Sequence, residues 1–500
     1  MCIRDSTCTV DHLMQLCEQQ RGGRYIVPML RLLGSDLVLD EPDDFSTEDL
    51  PALSRLVYWA GLLGSRVLLS SATLTPDMVI GLRDAYRDGR RIWNEHQGLP
   101  QEPVVCAWFD EFDQHIGTYR REEFIRQHET FCRNRSTKLA AQPVRRRAEW
   151  LDIDSTDPAA LAAKLLERAS TLHRRHSQTD PASGKNISVG LIRFANINPM
   201  VKYAQAMFGL TPPDDTALHI ACYHSQQLLL LRSNLERRLD TLLDRKDPAK
   251  LFTHRDDIQT ALARSPAQNH IFIVFGSPVT EVGRDHDYDW AIIEPSSMRS
   301  LIQLCGRVWR HRPHLSAAEH ANIAILSRNI KALTRSPEEP AYCRPGFESK
   351  NAMLSSHDAQ TLISSEETGH INSIPRLHRP MPSEKPRPRS DSLTELEHRV
   401  MADILNNPQR FTALYRQPGN AAPLTAHHAK ISPFRSGRPQ TDYVAFWDAE
   451  DEKIAFKTSE NAEHYGGSKD GRDTEVDFKL TAAPSPVSYT HLTLPTSDLV

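Results

Sequence analysis

The chain has 500 residues, 39% of them apolar, and a formal net charge of −4, enough for roughly three domains with sizeable cores. No run of about 18 apolar residues occurs, and the amino end lacks the charged-then-apolar layout of a signal peptide, which argues against a membrane span or a secretory leader. A charge so near neutral gives no global pull toward nucleic acid, so phosphate binding has to come from local basic surfaces.

Residues 37–39 read as a short buried strand that ends in Asp40-Glu41-Pro42-Asp43. Ser46-x-x-Asp49 offers a capping-box start for an apolar-periodic helix through Leu50, Leu53, Leu56, Val57 and Ala60, with Gly61 and Gly64 at its exit. Residues 67–69 form the next strand, which runs into Ser71-Ala72-Thr73, and Thr75-Pro76 opens a helix expected to end near Gly89. Strand, helix, strand, helix implies a parallel sheet.

Residues 100–185 carry less pattern. Their arginine-rich stretch (Arg120, Arg121, Arg126, Arg133, Arg135, Arg145, Arg146 and Arg147) interleaves with Tyr119, Phe124, Phe131 and Trp150, and suits either a solvated helix face or a nucleic-acid-facing insertion. From Ile187 a second alternation begins. Strands are expected near 189–194, 218–223, 271–275, 290–293 and 323–326. Helices are opened by Asn198-Pro199 and cover 226–245 and 297–311. Past residue 345 Ser, Thr, Pro and Arg dominate, densest over 374–392, which reads as a linker. A helix over 393–405 and a strand pair near 443–446 and 453–456 follow. The eight cysteines lack a C-x-x-C pair, so neither a zinc framework nor a disulfide scaffold is indicated; Cys222 and Cys305 fall in apolar patterns.

Three motifs carry chemistry. Phosphoryl transfer needs positioning and charge neutralisation more than covalent help, which suits carboxylates fixed at a strand terminus. Asp40 would orient a magnesium shell and Glu41 would polarise the attacking water. In Gln303-x-x-Gly306-Arg307-x-x-Arg310 the arginines lie three apart, so on one helix they would share a face and reach a terminal phosphate together. Thr280 to Asp285 follows a buried strand with Gly283 in the turn, where backbone amides can meet phosphates.

In chain order, Asp40-Glu41-Pro42-Asp43, Ser71-Ala72-Thr73 and Gln303-x-x-Gly306-Arg307-x-x-Arg310 resemble the motifs of superfamily 2 helicases. The text linking them, Thr9-Val10-Asp11-His12 through Asp40-Glu41-Pro42-Asp43-Asp44-Phe45 and Leu68 to Pro76, resembles the helicase-nucleases of type I CRISPR interference, with wording like subtype I-F. The resemblance implies an α/β fold of two RecA-like parallel-sheet lobes, the first incomplete, plus a small α+β C-terminal domain. It assigns Asp43, Ser71, Thr73, Gly283, Arg284, Asp285 and Gln303 to the nucleotide side, and Thr9, Thr280 and His224 to the DNA backbone, although a loop histidine without a ligand role suits His224 as well. It implies ATP and Mg2+ as cofactors, with magnesium at Asp40. Single-stranded DNA and a crRNA-guided surveillance complex are the implied partners, the CRISPR adaptation integrase is a further one, and the location is the cytoplasm with no membrane partner.

Two parts of that family are missing from the sequence. No G-x-x-x-x-G-K-[ST] loop occurs, since Ser183-Gly184-Lys185-Asn186 fails the pattern, and no spaced His, His-Asp, Asp set marks a metal nuclease; its transition metals are expected only in a domain beyond this chain. Residues 1–6 and 487–500 contain text similar to translated sequencing adapters, so the chain is expected to be a truncated reading frame. The expected division is 7–99 as the later part of lobe 1, 100–185 as an insertion, 186–345 as lobe 2, 346–392 as a linker and 393–486 as an accessory domain. Two other functions stay open: a catalytically silent fragment that only binds nucleic acid or an effector complex, and an RNA helicase of the same superfamily.

Overall fold

The computed structural model describes residues 8–18, 23–100, 103–247, 250–253, 256–281, 283–379, 388–407, 431–434, 443–448 and 453–458; the adapter-like ends lie outside them. In the first lobe β1 (Leu37–Asp40) and β2 (Val67–Ser70) pair in parallel, with Asp40 opposite Ser70. Helices α1 (Leu50–Leu62) and α2 (Pro76–His96) pack beside them, and Thr75 caps α2 by accepting from Met78 N. Leu37 and Leu39 face the core, while Val38 and Leu68 stand 60% and 51% exposed on the opposite side of the strand pair.

Two helix boundaries differ from expectation. The Ser46 hydroxyl donates to the Asp49 carboxylate at 2.7 Å, and α1 begins only after Asp49, so the expected capping box is not formed. Helix α2 continues past Gly89 to His96, because the glycine serves a crossing and not an exit. A Cβ on Gly89 would lie 2.1 Å from Tyr58 O, and one on Gly61 2.3 Å from Tyr86 O, so the α1 and α2 backbones approach more closely than any side chain permits.

A hairpin, β3 (Val104–Phe109) with β4 (Gln114–Tyr119), leads into α3 (Arg121–Ala140). Trp108 packs among Tyr119, Phe124 and Phe131, and its Nε1 donates to His128 Nδ1 at 3.0 Å. Half of the arginine-rich stretch (Arg121, Arg126, Arg133 and Arg135) rides on α3, whose other faces are exposed.

The second lobe starts before residue 186. Its parallel sheet comprises β5 (Ala148–Leu151), β6 (Asn186–Arg193), β7 (Thr216–Tyr223), β8 (Asn269–Gly276), β9 (Trp290–Ile293) and β10 (Ile323–Leu326), in the order β5-β10-β9-β6-β8-β7. The segment expected to be an insertion therefore supplies an edge strand, and also the helix α4 (Pro158–His176). Both faces of the sheet are covered, by α4 and α5 (Ile197–Phe208) on one side and chiefly by α6 (Leu229–Leu242) and α7 (Met298–Cys305) on the other. Alternate residues accordingly enter two cores: Val189, Leu191, Phe272, Val274 and Ile293 in one, Ile192, Ile271, Ile273, Phe275 and Trp290 in the other. Helix α5 is entered from Asn196, placing Asn198 and Pro199 in its first turn, and α6 is shorter than the expected span.

The stretch 346–392 is packed wherever it is described, which overturns the linker expectation. Leu354, Leu362, Ile363 and Ile371 join the second-lobe core, and the short helix α8 (Ile374–Leu377) buries Arg376. Helix α9 (Leu393–Asn406) then spans both lobes, with Leu393 and Leu396 in the second-lobe core and Met401 and Leu405 in the first. The antiparallel pair Tyr443–Asp448 with Lys453–Thr458 closes the described chain.

Gly89→Ala should lower the unfolding midpoint, because about 1 kcal/mol of gained helix propensity cannot offset roughly 1–3 kcal/mol of overpacking. Thermal or urea melts of the two chains read this directly; an unchanged midpoint would mean that the crossing relaxes freely. Burial lowers the His128 pKa to about 4 from an ordinary value near 6.5, and its Nδ1 has to stay unprotonated to accept from Trp108. The unfolded chain then binds the extra proton first, so stability is lost as pH falls below 6.5, by roughly 2 kcal/mol at pH 5 from this residue. His128→Asn should flatten that part of the pH dependence of unfolding.

Candidate active site

A cleft of about 640 Å³ opens between the lobes. Asp40, Glu41, Asp44 and Thr73 line it from the first lobe, and Glu281, Gly283, Arg284, Asp285, Gln303, Arg307 and Arg310 from the second. On the first-lobe side it lies at the carboxyl ends of β1 and β2, where parallel sheets place ligand sites.

Asp40 is exposed at the tip of β1. Glu41 holds φ +46°, a left-handed conformation that a non-glycine residue adopts at a cost of order 1 kcal/mol. Its backbone N donates to Ser70 O at 2.7 Å, and its Oε2 is buried without a hydrogen-bond partner among the described residues. Burial raises the Glu41 pKa, the Ser71 hydroxyl pulls it back, and the neighbouring carboxylates of Asp43, Asp44 and Asp40 push it further up. A buried carboxylate oxygen with nothing to bind, one residue from an exposed aspartate, fits a metal-bound or free water between them.

Asp43 is fully buried. It accepts from Ser71 Oγ at 2.7 Å and Thr73 Oγ1 at 2.6 Å, so the Ser-Ala-Thr turn is tied to the carboxylate loop as expected. Burial pushes its pKa up, but the Arg376 charge and the two hydroxyls outweigh that and hold it below the ordinary range. Asp43 therefore faces inward as an anchor. It does not line the cleft, so the nucleotide contact expected of it is not formed.

The arginines reach the cleft by a different route from the one expected. Helix α7 stops at Cys305, so Arg307 and Arg310 do not share a helical face. The following turn is drawn into a bridge: Tyr288 N donates to Arg307 O at 2.8 Å, Trp309 N donates to Tyr288 O at 3.1 Å, and Trp309 takes φ +50°. Arg307 Nη2 donates to Glu281 O at 2.8 Å while its Nε is buried and unpartnered. Arg310 pairs with Asp285 at 2.6 Å. That carboxyl is pushed up by burial, yet Lys246 and Arg310 hold it at about 2. Gly306 meets only the carbonyls of its own turn, so it is not a point of close approach to another element.

Gln303 Nε2 donates to Asp44 Oδ1 at 2.9 Å, and Arg299 pairs with the same oxygen, which links α7 to the first-lobe loop. Gly283 has φ +69° with open space where a side chain would stand. The Arg284 guanidinium turns away to Asp240 and Glu236 of α6 at 2.7 and 2.6 Å. Thr280 is wholly buried with its hydroxyl on Ser277 O at 2.9 Å, so it cannot touch a DNA backbone in this conformation. Thr9 is exposed ahead of the first described helix, and His224 is half-buried, burial lowering its pKa. Lys185 is held by the carbonyls of Leu262 and Ser265; His286 and His357 are engaged by Asp240 and Glu348.

Residues 186–313 match the family described as CRISPR-associated nuclease/helicase Cas3, C-terminal. A curated relative, the CRISPR-associated nuclease/helicase Cas3 subtype I-F/YPEST of Pseudomonas aeruginosa (strain UCBPP-PA14), is 45% identical over 460 residues. That alignment covers 89% of this chain. The protein of the same description from Pectobacterium atrosepticum is 42% identical over 91% of the chain. Over about nine tenths of its length the chain is similar to the subtype I-F Cas3 nuclease/helicases. It spans 42% of the length of each of these relatives. A solved CRISPR-associated protein aligns over 88% of this chain and 43% of its own, at 14% identity and a TM-score of 0.47. Among the described residues, no helix is long and apolar enough to cross a membrane.

Sequence reasoning missed three residues at or behind this cleft. Arg376 lies in text read as linker, where an arginine amid Pro and Ser carries no signal. Arg145 and Arg146 lie in the arginine-rich stretch, and only the fold separates their roles. Arg146 donates to the carbonyls of Val308 and Gly306 at 3.1 and 3.3 Å and so supports the arginine turn, whereas the Arg145 carbonyl accepts from Asn322 and its guanidinium lines the cleft with no hydrogen-bond or ion-pair partner among the described residues. In the full-length protein, Arg145→Ala should weaken nucleoside triphosphate binding roughly tenfold, the worth of one charge-assisted contact. Titration with a fluorescent nucleotide measures this; equal affinity would leave Arg145 a bystander.

Proposed function

We propose that the full-length protein containing this chain is an ATP-driven single-stranded DNA translocase of type I CRISPR interference, coupled to a nuclease outside this chain. The observation that carries the reading is the convergence of Asp40 and Glu41 from one lobe with Arg307 and Arg310 from the other on a single cleft. Relatives named as nuclease/helicases support it.

Bound magnesium, held through Asp40, would neutralise phosphate charge. Glu41 would orient and deprotonate the attacking water; its raised pKa suits a proton acceptor shielded from solvent. Arg307 and Arg310 would stabilise the charge that develops on the terminal phosphate. Asp43, Ser71 and Thr73 keep the loop bearing Glu41 in register with β2, so nucleotide state can be passed to the rest of the first lobe. Strand movement then follows from opening and closing of the lobes, with DNA gripped through its backbone. The partners of this reading are single-stranded DNA, a crRNA-guided surveillance complex and the adaptation integrase, in the cytoplasm.

Glu41→Gln in the full-length protein should reduce DNA-stimulated ATP hydrolysis by about 10²–10⁴-fold, the usual share of a general base. Normal turnover would remove the role given to Glu41. Stimulation by RNA in preference to DNA would move the protein to the RNA helicases.

A further inference from the structure

Two buried side chains that do not line the cleft join the lobes behind it. Arg376, on α8, is fully buried. Its Nε donates to Thr73 O at 2.9 Å and its Nη2 to Asp43 Oδ2 at 3.3 Å, both in the first lobe. Its Nη1 pairs with Glu397 on α9. Glu397 Oε1 accepts from the backbone N of Met298, and from that of Arg299 at 3.4 Å, where α7 opens in the second lobe. A helix amino end is a favourable place for that carboxylate. An unbroken chain of charge-assisted hydrogen bonds therefore runs from the carboxylate loop through Arg376 and Glu397 to the helix that leads into Arg307 and Arg310.

Removing Arg376 would leave Asp43 and Glu397 buried without their shared cation, and removing either carboxylate would leave Arg376 with the other alone. The shared guanidinium therefore works as a latch between the lobes.

We propose that Arg376 and Glu397 are positioning residues that hold helix α7, which leads into the turn bearing Arg307 and Arg310, in register with Asp43 and the Ser71–Thr73 turn. The inference rests on the ATPase reading for its kinetic consequence but not for its structural one. Because neither residue lines the cleft, their loss acts on turnover and leaves nucleotide affinity in place.

The test uses the full-length protein with Arg376→Gln, Glu397→Gln and the double variant Arg376→Met/Glu397→Gln, which removes the Arg376–Glu397 pair and leaves Asp43 to the Ser71 and Thr73 hydroxyls. DNA-stimulated kcat should fall at least about tenfold in each folded variant while KM for ATP stays within about twofold. The double variant should melt above Arg376→Gln, which strands both carboxylates, and remain slow. If the single variants fail to fold, the double variant decides. Recovery of kcat together with stability in the double variant, or kcat and KM changing in parallel, would overturn the proposal. Hydrogen exchange gives a readout without turnover: amides of 298–305 should exchange faster in the double variant and at the parental rate in Glu41→Gln. Unchanged exchange in the double variant sinks the latch, whereas a parent that hydrolyses no ATP, with the exchange change still present, sinks only the functional reading.

Discussion

The arrangement depends on one buried carboxylate. Asp43 has no access to water and is bound by Ser71, Thr73 and Arg376. An ionised group in such a place is tolerable only when its acceptor positions are filled, so its partners are fixed in space by the cost of stranding it. Through the hydroxyls Asp43 fixes where β2 hands over to α2, and through Arg376 it fixes where α8 and α9 cross the molecule. The loop that presents Asp40 and Glu41 takes its shape from that anchor.

The second lobe was largely legible in the sequence. Strands buried on both faces read as unbroken apolar runs, and 290–293 and 323–326 fall on β9 and β10 residue for residue. What the sequence obscured were positions where a residue type serves two purposes. Glycine ends helices and also lets helices cross; at Gly89 the crossing decides, and nothing local distinguishes the two. The span over 297–311 keeps its apolar period after Cys305, yet the chain leaves the helix because Tyr288, 20 positions earlier in the sequence, offers a backbone bridge to Val308.

The candidate site was legible as to membership and less so as to role. Asp40 and Glu41 reach the cleft because they stand at the end of β1, whereas Gln303 is carried by α7 and Arg307 and Arg310 by the turn bridged to Tyr288. Orientation depends on tertiary partners, which is why Asp43 turned inward, Thr280 was buried and Arg284 went to α6. The stretch 346–392 misled for a compositional reason: four apolar anchors scattered among Ser and Pro suffice to pack it, but they have no period.

Glu41 stands in a region of backbone space that glycine or asparagine would occupy more comfortably. A sequence selected for robustness alone would place one of those there and gain firmness in the fold. It would thereby give up the carboxylate whose direction the kinked backbone sets, before any ligand arrives. The position proposed as general base is thus also a locally weak one, and hardening it by design would trade away the carboxylate that the proposal relies on.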